Sequence, residues 1–171
     1  MKHTRTYRCL LLFPCLLMIL VSACKIYKFN SASVPADVKT VKVNYIENRA
    51  RYINPQLSPK LTEKLKQKII SQTRLTQTNS DSVDWDITGF ISDYSFSTAA
   101  ISNQQVVNNR LTVTVHITLN DHKKDAVSDY DVSRNFDFKG DLSFQQAENL
   151  LGDEMIRTLT DEIFNRLFSN W

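Results

Sequence analysis

The run Leu111-Thr112-Val113-Thr114-Val115-His116-Ile117-Thr118-Leu119 alternates without interruption, and it restricts the possible folds more than any other segment. Side chains two apart on a strand share a face, so five aliphatics lie on one side and Thr112, Thr114, His116 and Thr118 on the other. Such a strand belongs to a sheet with one face in a core and the other toward water or a partner. Beyond the turn Asn120–Asp125, Tyr130, Val132, Phe136 and Phe138 alternate again, with Arg134 interrupting the apolar side. Strands joined this closely pair antiparallel. Upstream, Trp85, Ile87, Gly89 and Ile91 alternate with Asp86, Thr88, Phe90 and Ser92, which reads as an interior strand. Gly89 there marks a bulge or a close backbone approach. The polar stretch Ser97–Asn109 reads as a long hairpin connection. Thr40–Ile46 gives a first strand, with Val41, Val43 and Tyr45 on one face, and Leu75–Thr78 a short additional one.

Two segments have helical period. Leu57, Leu61, Leu65 and Ile69 recur every four residues above a lysine-rich polar side, ending near Thr73. Ser58 before Pro59 supplies a cap and a first helical residue, with Asn54-Pro55 an earlier candidate start. Ser143-x-x-Gln146 is a capping box. It opens a stripe of Phe144, Ala147, Leu151, Met155, Leu159, Ile163 and Leu167, widened by Leu150, Ile156, Phe164 and Phe168. Both stripes need one surface, and the aliphatic side of the sheet supplies it. The expected fold is α+β: a two-layer sandwich, with a mixed four-stranded sheet and two helices on one face, in the order β-α-β-β-β-α.

The N-terminus is a separate unit. Lys2, Arg5 and Arg8 precede an uncharged run from Leu10 to Val21, and Ser22-Ala23-Cys24 follows. A spanning helix needs about 20 apolar residues, and this run has 12, which fits a secretory signal instead. Small residues before a cysteine resemble a bacterial lipoprotein lipobox. That resemblance implies cleavage between Ala23 and Cys24 and lipid on the Cys24 sulfur. The expected division is 1–23 signal peptide, 24–38 lipidated tether and 39–171 a single domain. Tyr27 and Phe29 argue that the tether docks on the body. The chain has 21 basic and 18 acidic residues, and the signal takes three of the basic ones, leaving 18 against 18. A neutral mature chain has no bulk electrostatic drive toward nucleic acid. Cys9 and Cys15 leave with the signal and Cys24 would be acylated, so no disulfide framework or thiolate nucleophile is expected.

Residues for catalysis are scarce. His116 sits on the threonine face and His122 in a charged turn, a spacing that matches no metal-ligand pattern. The acidic groups Asp81, Asp84, Asp86 and Asp129, Asp131 lack an EF-hand loop, so no metal site is expected. No nucleophile elbow, phosphate loop or dinucleotide fingerprint occurs. The strongest local cation pair is Lys123-Lys124 at a hairpin tip, which could contact the phosphates of a lipid head group. Arg49-x-Arg51 is a second candidate. Asp81-Ser82-Val83 resembles the acceptor motif of the general O-glycosylation system of Bacteroidetes, which makes Ser82 a candidate modification site.

Across about 140 residues, an ordered set of short segments resembles the LptE-type lipoproteins of Bacteroidetes, the lipopolysaccharide-assembly family. They are Cys24-x-x-Tyr27-x-Phe29 with Ala32-Ser33, Lys39-Thr40-Val41, Asn48-x-Ala50, Pro55-x-Leu57-Ser58, Thr62-Glu63-Lys64-Leu65, Gln72-Thr73-x-Leu75, Gly89-x-Ile91-x-x-Tyr94, and Asp161 to Asn165 with the end at Trp171. The resemblance implies a two-helix, four-stranded α+β fold. It further implies a non-catalytic outer-membrane lipoprotein on the periplasmic side, needing no cofactor beyond its lipid. Its implied partners are the LptD β-barrel, whose lumen it plugs, and lipopolysaccharide. Lys25 after the lipidated cysteine lacks the aspartate of inner-membrane retention. A generic adaptor that binds another envelope protein or a glycan is the alternative reading.

Overall fold

The computed structural model describes residues 33–102 and 105–169. The expectations for the signal, for cleavage and lipidation at Ala23 and Cys24, and for Tyr27 and Phe29 lie outside those residues. In chain order the elements are β1 (Thr40–Val43), β2 (Glu47–Asn48), α1 (Leu57–Gln72), β3 (Thr76–Gln77), β4 (Trp85–Ser102), β5 (Gln105–Asp121), β6 (Ala126–Lys139) and α2 (Phe144–Phe168).

The sheet runs β3-β1-β4-β5-β6, with β2 added alongside β4. β1 is parallel to β3 and β4, and β2 is parallel to β4. The β4-β5 and β5-β6 pairs are antiparallel. The sheet is open and mixed, and the two helices share one core with its aliphatic side. The expected α+β sandwich is the observed one. Its four expected strands are β1, β4, β5 and β6, while β2 and β3 are two-residue additions.

Leu111, Val113, Val115, Ile117 and Leu119 are all buried. Opposite them lie Leu57, Leu61, Leu65 and Ile69 of α1, and Ala147, Leu151, Met155, Leu159, Ile163 and Leu167 of α2, also buried. Each fully buried aliphatic contributes roughly 1.5–3 kcal/mol, so these stripes are the main source of stability. The capping box forms: Ser143 Oγ accepts from the Gln146 N–H, and Gln146 Oε1 accepts from the Ser143 N–H at 2.9 Å. Arg134, the cation on the apolar side of β6, is neutralised by Glu162 of α2.

Four details differ from the sequence reading. Ser97–Asn109 is not a loop. It forms the distal arms of β4 and β5, paired from Ser97↔Arg110 to Ser102↔Gln105. Both faces of these arms are largely exposed through Ala100 and from Val107, so the core cannot impose the alternation by which a strand is recognised. The first strand ends at Val43. Beyond it the inward residue is Ile46, while Tyr45 is 56% exposed. The backbone N–H of Ile46 donates to the buried Thr62 hydroxyl at 3.0 Å, and this bond pulls the chain toward α1 and shifts the phase by one. Ser58 does not cap α1. Asn54 Oδ1 accepts from the N–H groups of Gln56 and Leu57 and does that work, in keeping with the earlier start. Leu150 does not widen the core stripe of α2; it is 68% exposed.

Gly89 is a close approach, and the register shift falls two residues later, between Ile91 and Asp93. A Cβ on Gly89 would stand 2.6 Å from Ile117 Cδ1 and 2.7 Å from the His116 carbonyl oxygen. Gly152, inside α2, has nothing within 4 Å of its missing Cβ. The two glycines therefore predict opposite outcomes. Gly89→Ala should lower stability by about 1–3 kcal/mol through overpacking. Gly152→Ala should raise it by about 1 kcal/mol through helix propensity. Urea midpoints of the two variants against the parent check both signs.

Candidate functional site

The face of the sheet away from the helices carries the threonine row, and there β5 and β6 are joined by a ladder of side chains. Arg110 Nε and Nη2 donate to the two oxygens of Asp137 at 2.6 and 3.0 Å. Thr112 donates to Asn135 at 2.9 Å, and the hydroxyls of Thr114 and Ser133 stand 3.0 Å apart. His116 Nδ1 is 2.8 Å from Asp131, with its Nε2 3.5 Å from Asp129. Thr118 donates to Asp129 at 2.6 Å. Apart from the His116–Asp129 contact, each pair consists of register partners on facing strands. Arg110 holds the Asp137 carboxyl below its ordinary pKa, and Asp137 raises the guanidinium in return. Exposed cross-strand pairs stabilise by only about 0.2–1 kcal/mol each, so their chief effect is to hold the side chains in one arrangement. On the β4 side the Arg49 guanidinium lies 4.5 Å over the Phe90 ring, and that ring is 5.1 Å from His116. The result is a broad, ordered, polar plate. Among the described residues no three His, Cys, Asp or Glu side chains are grouped to hold a metal ion.

The Lys123-Lys124 turn is built from Asp121. Its buried carboxylate accepts from the Lys123 and Lys124 N–H groups at 3.0 and 3.2 Å, and Asp125 closes the turn with φ of 50°. The two lysines are not equivalent. Both are exposed, but Lys123 Nζ is 2.9 Å from Asp84, and among the described residues Lys124 has no ion-pair partner. Asp84 also accepts from the N–H groups of Lys39 and Thr40 at 2.8 and 3.0 Å. The Lys39 backbone bond foremost, then the Lys123 ammonium and the Thr40 amide, hold the Asp84 carboxyl far below its usual range. Lys123 is raised in turn by Asp84. This knot joins the start of β1, the start of β4 and the β5-β6 turn. Arg51 is exposed, and Arg49 is held by Glu47 at 2.9 Å. Ser82 lies exposed in the loop before β4, beside Asp81, which pairs with Lys42 at 2.8 Å.

One cluster escaped the sequence reading. Glu148 of α2 is 7% exposed, yet it sits four residues after Phe144 and three before Leu151, on the buried stripe. Its carboxylate accepts from Tyr94 Oη at 2.7 Å, Asn54 Nδ2 at 2.8 Å and Tyr52 Oη at 3.3 Å. Burial, reinforced by this carboxylate, pushes both tyrosine hydroxyls up. An acid at an apolar position of the helical period was the available signal.

These features together define an α+β module with a helix-covered core and an ordered polar face. Rare lipoprotein B of Shewanella oneidensis shares the fold with a TM-score of 0.53 at 13% identity, over 75% of this chain and 93% of that one. The PelC dodecamer protein of Paraburkholderia phytofirmans does so at 0.50 and 12%, over 81% and 93%. No curated protein matches the sequence. The family described as LptE, lipopolysaccharide-assembly, matches residues 38–167, and the chain belongs to it. Membership makes it a lipopolysaccharide-assembly lipoprotein of the cell envelope, in a non-catalytic family.

Asp84 yields a pH prediction. A carboxyl depressed in the folded state contributes stability that is present above its unfolded value, about 4, and is lost as pH falls toward the folded one. Asp84→Asn should therefore lower the melting temperature at pH 7, and the gap to the parent should narrow steadily as pH falls below about 4. A gap of the same size at acid pH would remove this role for the carboxylate.

Proposed function

We propose that the chain is an outer-membrane lipoprotein that plugs an LptD-like β-barrel and assists in placing lipopolysaccharide in the outer leaflet. The signal would be cut between Ala23 and Cys24, and Cys24 would carry the acyl chains that anchor the protein on the periplasmic side. Residues 24–38 would be the tether and 39–171 the plug. The observation that supports this reading most is the polar plate on the open side of the sheet. Large barrel lumens are polar, so a plug has to present hydrogen-bonding groups outward while keeping its own core. The β5-β6 ladder offers such a surface in a fixed arrangement.

The geometry of the chain supports an anchor at one end of the molecule. Ser33 N–H donates to the Phe168 carbonyl at the end of α2, and Arg74 Nη2 donates to the carbonyls of Val34 and Pro35. Nine residues separate Cys24 from Ser33, a reach of at most roughly 30 Å. The Asp84 knot brings the Lys123-Lys124 turn to this same end. Both lysines are proposed phosphate contacts for lipopolysaccharide, with Lys124 the freer because Lys123 is engaged by Asp84. Ser82 is a proposed O-glycosylation site.

Affinity purification of the tagged, lipidated protein should recover an intact outer-membrane barrel, and its depletion should leave lipopolysaccharide at the inner membrane. Recovery of no barrel, with lipopolysaccharide reaching the surface normally, would favour the adaptor reading. For the turn, Lys124→Glu should weaken lipopolysaccharide binding up to about fivefold at low salt without changing stability. Lys123→Met should instead lower stability. Equal affinity of Lys124→Glu and the parent at low salt would dismiss the contact.

A further inference from the structure

A cleft of about 410 Å³ lies between the segment leading into α1 and the first turns of α2. It plays no part in the plug reading. Glu148 belongs to its lining, held by the two tyrosines and Asn54. All three partners are neutral donors, and among the described residues no cationic side chain is paired with this carboxylate. A carboxylate has about four acceptor sites and three are taken, so a charged donor entering the cleft can still bond to it. The charged residues lining the cleft are Glu148, Asp153 and Lys60, two acids against one base, so the lining carries a net charge of −1.

The remaining lining restricts the cation. Gln56, Gln145 and Asn149 offer amide oxygens beside the two carboxylates. A guanidinium has five N–H donors in one plane and no acceptor, so it needs a lining of this kind; an ammonium needs only three partners. Tyr52, 39% exposed and stacked on Tyr94 with ring centroids 5.5 Å apart, supplies an aromatic wall for a planar cation. Gly152 also lines the cleft. Its missing Cβ would touch nothing in this chain, so packing within the chain does not require a glycine inside this helix.

We propose that this cleft receives an alkylguanidinium group, the side chain of an arginine presented by a partner protein, with Glu148 as its counter-ion and Gly152 as the floor that lets it lie flat. The inference is independent of the barrel-plug reading and would survive its failure. The test follows the backbone amide of Gly152 and the side-chain amide of Asn54 by NMR, on the full chain in detergent micelles. The probes are N-acetylarginine amide, its uncharged citrulline analogue and N-acetyllysine amide. The arginine probe should shift both signals saturably. The citrulline and lysine probes should bind about tenfold more weakly or worse. Glu148→Gln should weaken the arginine response by a similar factor. Gly152→Leu, which leaves the carboxylate cluster intact and favours the helix, should abolish the response without lowering the melting temperature. An equal response to citrulline or lysine, or an undiminished arginine response in Gly152→Leu, would overturn the proposal.

Discussion

A helix advances about 1.5 Å per residue and a strand about 3.3 Å, and that mismatch shapes the whole molecule. The 25 residues of α2 reach roughly 37 Å, while the 18 of β4 and 17 of β5 reach roughly 55–60 Å. The helices cover the sheet only where β5 is aliphatic, from Leu111 to Leu119. Beyond Leu111 the β4-β5 pair continues with no layer above it among the described residues, and just over half of its residues there are polar. Where cover ends, Tyr52, Tyr94, Phe96, Phe138 and Phe144 close the core with aromatic contacts, the shortest being Phe96–Phe144 at 3.8 Å between centroids. An overhanging hairpin and an aromatic lid are thus two results of one length difference.

That geometry also separates what could be read in the sequence from what could not. β5 and α2 were legible because each has a buried face that forces a period, and because Ser143 and Gln146 mark the helix start chemically. The distal arms of β4 and β5 were not, since exposure on both faces removes the need for alternation. Tyr45 and Ile46 exchanged places for a different reason. One tertiary hydrogen bond, from Ile46 N–H to the Thr62 hydroxyl, overrides the local pattern of a short strand. Of the candidate positions, Lys123 and Lys124 look identical in the sequence. They differ only because Asp84, some forty residues earlier, reaches one of them.

The Asp84 knot and the β5-β6 ladder show polar groups used in two ways. The ladder pairs neighbours in register, so its order follows from local strand pairing and any one rung is of small consequence. Asp84 gathers the start of β1, the start of β4 and the β5-β6 turn, segments that the sheet alone joins only through strand ends. Loss of that carboxylate leaves two backbone N–H groups and a lysine seeking water at once. A single side chain therefore fixes how this end of the sheet is closed, while the plate depends on many weak and separable contacts.

Departures from local consistency concentrate at functional positions, because a chain under no other demand would relax them. α2 carries two such departures four residues apart. Glu148 places a carboxylate on a stripe otherwise apolar, and Gly152 gives up helix propensity where no neighbour in the chain asks for it. An alanine at the second would suit an isolated domain better, whereas a leucine at the first would leave the Tyr94 hydroxyl and the Asn54 amide without their acceptor. Packing explains Gly89, whose Cβ has nowhere to go; it does not explain Gly152. Both line the same cleft, and their combined effect is to keep an acid at its wall and room in front of it. A contact from outside the chain gives both a use, and it would lie at the β4-β5 hairpin end of the molecule, opposite the end where Ser33 is bonded to Phe168.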